Sequence, residues 1–426
     1  MPKAVNEREL ILDTLLRITK DGEYSHIVLR EILKQHQYLE KNRRAFITRV
    51  VEGTLERMIE IDYIIEQFSK TPIRKMKPVI RTILRSAVYQ VKYMDAVPNS
   101  AICNEAVKLA AKRGFSNLRA FVNGVLRNIV RGIDAIEYPS LSIRYSMPEW
   151  LVEQWLKVYP KDTVEKMLQA FLEERPLAIR VNVNKIEKTE LIKRLKRQSI
   201  EVEEVADVTY ALWISKFDYL GNIPEFAEGL FYVQDISSMQ VAQTAQVSSG
   251  DYVIDVCAAP GGKALHIAEK LKGTGHVDAR DLTKYKVALI QENIKKSKLD
   301  NIKAHRQDAT IFDTNSQEKA DVVIADLPCS GLGVLGKKPD IKYKMDIETQ
   351  QELVKLQRKM LAVVSRYVKQ GGKLIYSTCT INKAENEDNA TWFIQNHKDY
   401  IFISEEQKLP GEYAGDGFYI AVFERK

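Results

Sequence analysis

"DYVIDVCAAPGGK", Asp251 to Lys263, runs from an aromatic and β-branched stretch into an acid, then into small residues, two glycines and a lysine. Tyr252, Val253 and Ile254 favour an extended chain. Ala258, Ala259, Pro260, Gly261 and Gly262 allow a tight turn and a close approach of backbone to a ligand. "KALHIAEKL" then spaces its apolar residues for a helix. Four more short apolar runs follow, "GHVDARD", "NIKAHRQD", "ADVVIADLP" and "GGKLIYSTC", with the helical stretches "KYKVALIQENIKKSK" and "ETQQELVKLQRKMLAVVSRYV" among them. This alternation from about residue 246 predicts an α/β domain with a doubly wound parallel sheet. Ligands of such sheets lie beyond the carboxyl ends of the strands, so those ends are where chemistry is expected.

The first strand ends in Asp255 and the loop Cys257 to Lys263, the second in Asp281 and the third in Asp308. The fourth ends in Asp326, Pro328 and Cys329, and the fifth in Ser377, Thr378 and Cys379. A carboxylate at the end of the second strand can accept two hydrogen bonds from a ribose diol. By the same logic Asp308 can accept from the exocyclic amine of adenine. The first loop lacks the G-x-G-x-x-G of dinucleotide binding, and small residues suit any tight turn. Its weight comes from Asp281 and Asp308 at matching depth, and Lys263 adds a cation.

Outward from this domain the pattern changes. From residue 7 to about 135, "ELILDTLLRIT", "MKPVIRTILRSAVYQVKYM", "NSAICNEAVKLAAKRG" and "NLRAFVNGVLRNIVRGI" space apolar residues three and four apart, which predicts an all-α bundle. Asn99 or Ser100 is expected to cap one helix, and Gly114 to end it. "EYPSLSIRYSMPEW", Glu137 to Trp150, reads as a linker. After two further helices, "LAIRVNV", the basic helix "KTELIKRLKRQ", "IEVEEV" and "ALWI" suggest a small α/β module carrying Arg180, Lys185, Lys193, Arg194, Lys196 and Arg197. Those cations make either an RNA-facing surface or a solvated helix face.

The whole chain has 426 residues, 45% hydrophobic and 28% charged, which is the balance of a globular protein of two or three domains. No apolar run reaches the roughly 18 to 20 residues a membrane span needs, and the first residues lack a signal peptide's apolar centre, so a cytoplasmic protein is expected. A net charge of +7 suits a polyanionic partner without requiring one. The 4 cysteines contain no C-x-x-C pair and the 6 histidines are scattered, so no metal site is expected. Cys257 and Cys103 read as small buried residues, and His266 and His276 receive no role.

"DVCAAPGGK", "DLPCSGLG" and "IYSTCTINKAENE" together resemble the signature motifs of the RNA (cytosine-5) methyltransferases. The helical N-terminus resembles the RNA-binding factor NusB through "VIRTILRSAVYQVKY", "PNSAICNEAVKLAAKRG" and "AFVNGVLRNIV". Joined in one chain, they resemble the RsmB-type family of bacterial small-subunit ribosomal RNA methyltransferases. The resemblance implies a NusB-like domain over 1–138, an RNA-recognition module over 145–235 ("PLAIRVNVNK", "FYVQDISSMQVAQ") and a Rossmann-like catalytic domain over 236–426, closed by a hairpin at "GDGFYIAVFER". It implies S-adenosyl-L-methionine as cofactor, bound by Cys257, Ala258, Ala259, Pro260, Gly261, Gly262, Lys263, Asp281, Asp308 and Asp326. Cys379, Cys329, Asp326 and Lys263 form the implied catalytic set. The implied partner is small-subunit ribosomal RNA, met unfolded or partly assembled by a monomer, with no membrane and no DNA.

The chemistry explains the two thiols. Carbon 5 of cytosine is a poor nucleophile, and a thiolate adding to carbon 6 turns the ring into an enamine that can attack a methyl group. Charge builds on the ring during addition, so a donor near a ring nitrogen helps, and a protonated Asp326 is one candidate. Residue chemistry alone leaves open which thiol attacks. The Pro-Cys thiol does so in DNA cytosine-5 methyltransferases, whereas the RNA family implies attack by Cys379 and a part in product release for Cys329. "LGKKPDIKYK", Leu335 to Lys344, sits just after this loop and is expected to hold phosphates beside the target base. Two other readings remain: a methyltransferase-fold RNA-binding or assembly factor without catalysis, and the same chemistry on transfer RNA or large-subunit RNA.

Overall fold

The computed structural model describes residues 5–206 and 208–426, and the chain divides into two compact units. The first runs to Glu173 and takes in Leu335–Lys344; the second comprises Glu174–Val334 and Met345–Lys426.

The first unit is helical, with α1 (Glu7–Thr19), α2 (Ser25–Gln35), α3 (Lys41–Glu56), α4 (Met58–Phe68), α5 (Pro78–Tyr93), α6 (Asn99–Lys112) and α7 (Arg119–Gly132). Helix α1 starts where the Asn6 side chain accepts the N–H groups of Arg8 and Glu9 at 3.0 and 3.2 Å. Its first turn carries Glu7 and Glu9 and its last turn Arg17, which suits the helix dipole. Helix α5 is central: Ile80, Ile83, Leu84, Ala87 and Val88 are buried, and it packs on α1, α3, α4, α6 and α7. The expected cap of α6 is corrected. The helix begins at Asn99 itself, after Pro98, and no side chain caps it; the fixed φ of the proline supplies the start. Gly114, at φ +86°, ends the segment as expected. Helices α8 (Leu141–Arg144), α9 (Glu149–Leu156) and α10 (Lys161–Ala170) complete the sequence-local part.

The Leu335–Lys344 segment is bound into this helical unit by its polar side chains. Asp340, 1% exposed, accepts the N–H of Ser25 at 3.1 Å and also its hydroxyl. Lys342, 3% exposed, donates to the carbonyls of Glu56 and Ser146 at 2.7 and 2.6 Å. The Tyr343 hydroxyl donates to the Leu55 carbonyl at 2.7 Å, and Lys344 to Glu23 and Asp340 at 2.6 and 2.8 Å. The expected phosphate-holding role therefore fails for Lys342 and Lys344, whose ammonium groups are spent on carbonyl and carboxylate partners inside the unit.

The second unit contains two sheets. The smaller has the order β2-β3-β1-β4, all antiparallel, from β1 (Leu177–Val181), β2 (Glu201–Glu204), β3 (Ala211–Ser215) and β4 (Phe231–Val233). Leu191 and Leu195 of α11 (Lys188–Arg197) are buried in its core, and α12 (Pro224–Ala227) lies before β4. Arg180 corrects the RNA-facing reading for one cation. It is 1% exposed, its guanidinium pairs with Glu269 and donates to Gln234 at 2.8 Å, and it lies 4.8 Å from the centre of the Tyr232 ring.

The larger sheet runs β10-β11-β9-β8-β5-β6-β7, built from β5 (Tyr252–Asp255), β6 (His276–Asp281), β7 (Ile302–Arg306), β8 (Ala320–Asp326), β9 (Val368–Thr378), β10 (Tyr400–Lys408) and β11 (Phe418–Arg425). The five strands β5 to β9 pair in parallel, and the expected closing hairpin adds β10 and β11 antiparallel. One core joins it to α13 (Ile236–Thr244), α14 (Gly262–Lys270) and α15 (Lys284–Ser297) through Val241, Leu265 and Ile290. After α16 (Ile341–Lys344), α17 (Ile347–Val364) and α18 (Glu387–Asn396) supply the other core through Leu361, Val364 and Phe393. Helices on both faces make the sheet doubly wound, as the sequence predicts.

Candidate active site

Strand β5 lies between β6 and β8, so chain order reverses there, and it is beyond the carboxyl ends at such a reversal that sheets of this kind bind ligands. The first loop is fixed by backbone bonds: Val256 N–H to Ile324 at 3.0 Å and Ala258 N–H to Arg280 at 2.8 Å. Gly261, at φ +110°, precedes α14 in a conformation that side chains avoid. Asp281, 2% exposed, accepts the N–H of Ala259 at 3.1 Å and of Leu282 at 2.8 Å, so it braces the loop as well as facing it. Asp308 accepts both the N–H and the hydroxyl of Thr310 at 2.8 Å. Asp255 is buried; burial and the neighbouring charge of Asp326 push its carboxyl up to about 7. One of its oxygens has no partner.

Cys257 is half-buried, and burial together with Asp255, Asp281 and Asp326 raises its thiol, which fits an unreactive residue. Cys103 is buried in the helical core. His266 is buried edge-on against Tyr210 at 5.1 Å. Among the described residues no cluster of histidine, cysteine and carboxylate side chains suits a metal ion.

The residues of the implied catalytic set, Asp326, Cys329, Cys379 and Lys263, lie together. Register aligns Asp326 of β8 with Ser377 of β9, which brings the two cysteine loops side by side. The Gly333 N–H donates to the Cys379 carbonyl at 3.0 Å, and Leu327 N–H to Ser377 at 3.1 Å. A Cβ on Gly333 would meet the Gly417 carbonyl oxygen at 1.9 Å, so only glycine permits this approach. The sulfurs of Cys329 and Cys379 stand 3.4 Å apart. Lys263 donates to Asp326 at 2.8 Å, and the Ser377 hydroxyl donates to the other Asp326 oxygen at 2.8 Å. Asp326 thus accepts at both oxygens, one of them from the Lys263 cation. Burial pulls the Lys263 ammonium down, but the Asp326 charge and hydrogen bond outweigh it, and Asp255 and Cys379 add to the rise above the usual lysine range. Cys329 is held well above the ordinary thiol range by its hydrogen bond with Cys379 and by burial, with the charges of Cys379 and Glu385 adding to it.

Sequence reasoning missed three neighbours of the site and one bond of a fourth residue that it named. Leu282 and Ile311, next to Asp281 and close after Asp308, are 50% and 60% exposed. Large apolar side chains exposed between strand-end carboxylates suit the faces of a flat base, so the carboxylate acceptors and the apolar surface fit an adenosine group. Ser377 was named as a strand end without its bond to Asp326. Glu385, 0% exposed, lies in the polar run "NKAENE", where nothing local signals burial.

Three family models match: the 16S rRNA methyltransferase RsmB/F model over residues 242–424, the NusB family over 5–131 and the RsmF/B-like ferredoxin-like domain over 147–218. The probable ribosomal RNA small subunit methyltransferase B of Bacillus subtilis (strain 168) is 35% identical, covering 100% of both chains. The ribosomal RNA small subunit methyltransferase B of Proteus mirabilis (strain HI4320) is 27% identical, again over 100% of both. The crystal structure titled PH0851 aligns at a TM-score of 0.84 and 25% identity, covering 99% of each chain. NSun6 from Pyrococcus horikoshii, solved with SFG, shares the fold at a TM-score of 0.57 and 23% identity over 65% of this chain and 98% of that one. Full-length identity to named relatives and strand-end acceptors beside an apolar surface that suits an adenosine group agree: the chain belongs to the ribosomal RNA small subunit methyltransferase B family, with S-adenosyl-L-methionine as its methyl donor.

Proposed function

We propose that the protein methylates carbon 5 of a cytosine in small-subunit ribosomal RNA through a covalent adduct at carbon 6 of the base. The observation that supports this best is the pair of thiols 3.4 Å apart at the ends of adjacent strands, beside a lysine held by a carboxylate. A binding factor has no use for two thiols and an ammonium in one crevice.

Cys379 is the attacking thiol in this reading. The half-buried ammonium of Lys263 favours its thiolate and donates toward the ring nitrogen as charge builds there. Asp326 holds Lys263 in place and keeps it charged, so the donor role expected of a protonated Asp326 passes to the lysine. Asp281 and Asp308 take the cofactor's ribose and adenine, with Leu282 and Ile311 against the base and the loop from Cys257 to Gly262 alongside. The cofactor supplies an electrophilic methyl group. Once carbon 5 is methylated, Cys329 passes its S–H proton to the Cys379 sulfur as the bond from that sulfur to carbon 6 breaks, and the Cys329 sulfur takes the proton of carbon 5, whose C–H electrons restore the aromatic ring. Cys329 ends the step protonated, as it began, and so aids release.

The substrate in this reading is naked or partly assembled small-subunit RNA, met in the cytoplasm by a single chain whose NusB-like and ferredoxin-like parts bind it. The target base must leave any stack, which favours a loop or an end of the folded RNA. Cys379→Ser should abolish both methyl transfer and the RNA adduct, whereas Cys329→Ala should leave an adduct that persists on a denaturing gel. Exchange of the two results would reverse the roles. Bisulfite sequencing of ribosomal and transfer RNA from cells lacking the protein identifies the substrate: a lost signal in transfer RNA or large-subunit RNA alone would refute the small-subunit reading.

A further inference from the structure

Glu385 is a fully buried acid in the segment that follows Cys379, and the donors bound to it are an amide N–H, a hydroxyl and two carboxamides. Its carboxylate accepts the N–H of Ser330 at 2.9 Å, and also the Ser330 hydroxyl. Gln357, 0% exposed, donates to Glu385 at 2.9 Å and to the Pro328 carbonyl at 2.9 Å. The residues immediately before and after Cys329 are therefore both tied to this one carboxylate. On the other side, the Ser330 hydroxyl meets the Thr380 hydroxyl at 2.7 Å, and Thr380 directly follows Cys379. Asn382 donates to the same carboxylate at 2.9 Å. Asn389 holds Gln357 in its rotamer through a 2.8 Å bond.

We propose that Glu385 is the positioning residue of the two-thiol site, fixing the approach of the Cys329 sulfur to that of Cys379 and thereby setting which of the two attacks. A glutamate needed only to shape a loop has no reason to grip both peptide neighbours of one cysteine and, through Ser330, the residue after the other. Its charge also acts on the Cys329 sulfur in the direction that keeps it protonated. The carboxylate gives the two thiols different roles: Cys329 stays a neutral donor while Cys379, beside Lys263, is the one that ionises. This inference rests on the covalent two-cysteine reading above.

Glu385→Gln tests it in the full-length protein. The carboxamide keeps the size of the side chain but turns one acceptor into a donor that faces other donors. Iodoacetamide labelling across a pH series, read by mass spectrometry at each cysteine, should find Cys379 labelled before Cys329 in the parent. In the variant, the Cys329 to Cys379 labelling ratio should rise roughly tenfold near neutral pH, the equivalent of about one pKa unit. The kcat for methyl transfer should fall roughly tenfold or more while the KM for the cofactor stays within about a factor of two, since misplaced reacting groups cost rate before binding. Should Glu385→Gln fail to fold, Ser330→Ala removes only the hydroxyl that joins Glu385 to Thr380. It should move the labelling ratio in the same direction by less. A folded variant with the parent's labelling ratio and kcat would overturn the proposal, as would a Ser330→Ala protein unchanged in both. An RNA adduct mapped to Cys329 in the parent would instead overturn the two-cysteine reading on which it stands.

Discussion

Lys263 keeps its proton in a half-buried position because of the negative charge of Asp326 and Asp255, and among the described residues it is the one cation hydrogen-bonded into the implied catalytic set. Replacing it removes a donor without removing either thiol. Lys263→Met should therefore lower the single-turnover rate of methyl transfer by roughly a hundredfold or more, the usual cost of losing a donor to developing charge. Cofactor affinity, measured by titration, should change far less; an equal loss of affinity would mean that Lys263 serves binding rather than the reaction. At this scale the sequence was informative where residue type and position agree. Asp281, Asp326, Cys329 and Cys379 stand out because each follows an apolar run at a predicted strand end. Glu385 did not, because an acid among lysines and asparagines reads as solvated until its four donors are seen. Arg180 did not either, because a charge beside other charges reads as surface, and only the fold brings Glu269 to it.

The sheet was legible at the scale of elements because β-branched runs ending in small or acidic residues have few alternatives to parallel strands in a repeating β-α pattern. The short helix α16 was not. Its four residues, Ile341 to Lys344, hold two lysines, and lysine is the residue type least often buried. Burial pulls the Lys342 ammonium down to about 7, against about 10.5 when unfolded, so the unfolded chain binds the extra proton between those values. A lysine with a lowered folded pKa loses stability as pH falls from the unfolded value toward the folded one, so its contribution is greatest at high pH. Lys342→Met lacks this dependence. The stability of the parent minus that of the variant should rise as pH goes from 7 to 9, by about 2 kcal/mol at most, read from denaturant midpoints at each pH. A difference that is constant or falls with pH would exclude a buried, easily deprotonated amine.

Over the whole molecule, the chain enters the helical unit, leaves it for the sheet unit, returns for Leu335–Lys344 and leaves again. The return begins immediately after Val334, five residues beyond Cys329 in the catalytic loop. A fragment starting at Glu174 removes every partner of Asp340, Lys342 and Tyr343 that lies in α2, α3 and the residues around Ser146. Trypsin should then cut after Lys342 and Lys344 in the fragment within minutes, while the full-length protein, with Lys342 at 3% exposure, resists at those bonds. Equal resistance in the fragment would mean that the segment is held without the helical unit. Sequence reading expected a linker near residues 137 to 150 from its prolines and serines, whereas the first compact unit runs on through α8, α9 and α10 to Glu173. It did not locate the second crossing, since the four lysines of this ten-residue return read as a phosphate-holding surface and not as a buried strut.

The bond between Ser25 and Asp340 also orders events in time. A ribosome delivers the chain from its N-terminus at roughly 5 to 20 residues per second. About 160 residues separate Glu173 from Leu335, so the helical bundle waits on the order of ten to thirty seconds for its last strut while the small sheet and most of the large one emerge. The first part of the protein to be made is among the last to be finished. Until then Ser25 and the carbonyls of Leu55, Glu56 and Ser146 are open to water or to a chaperone.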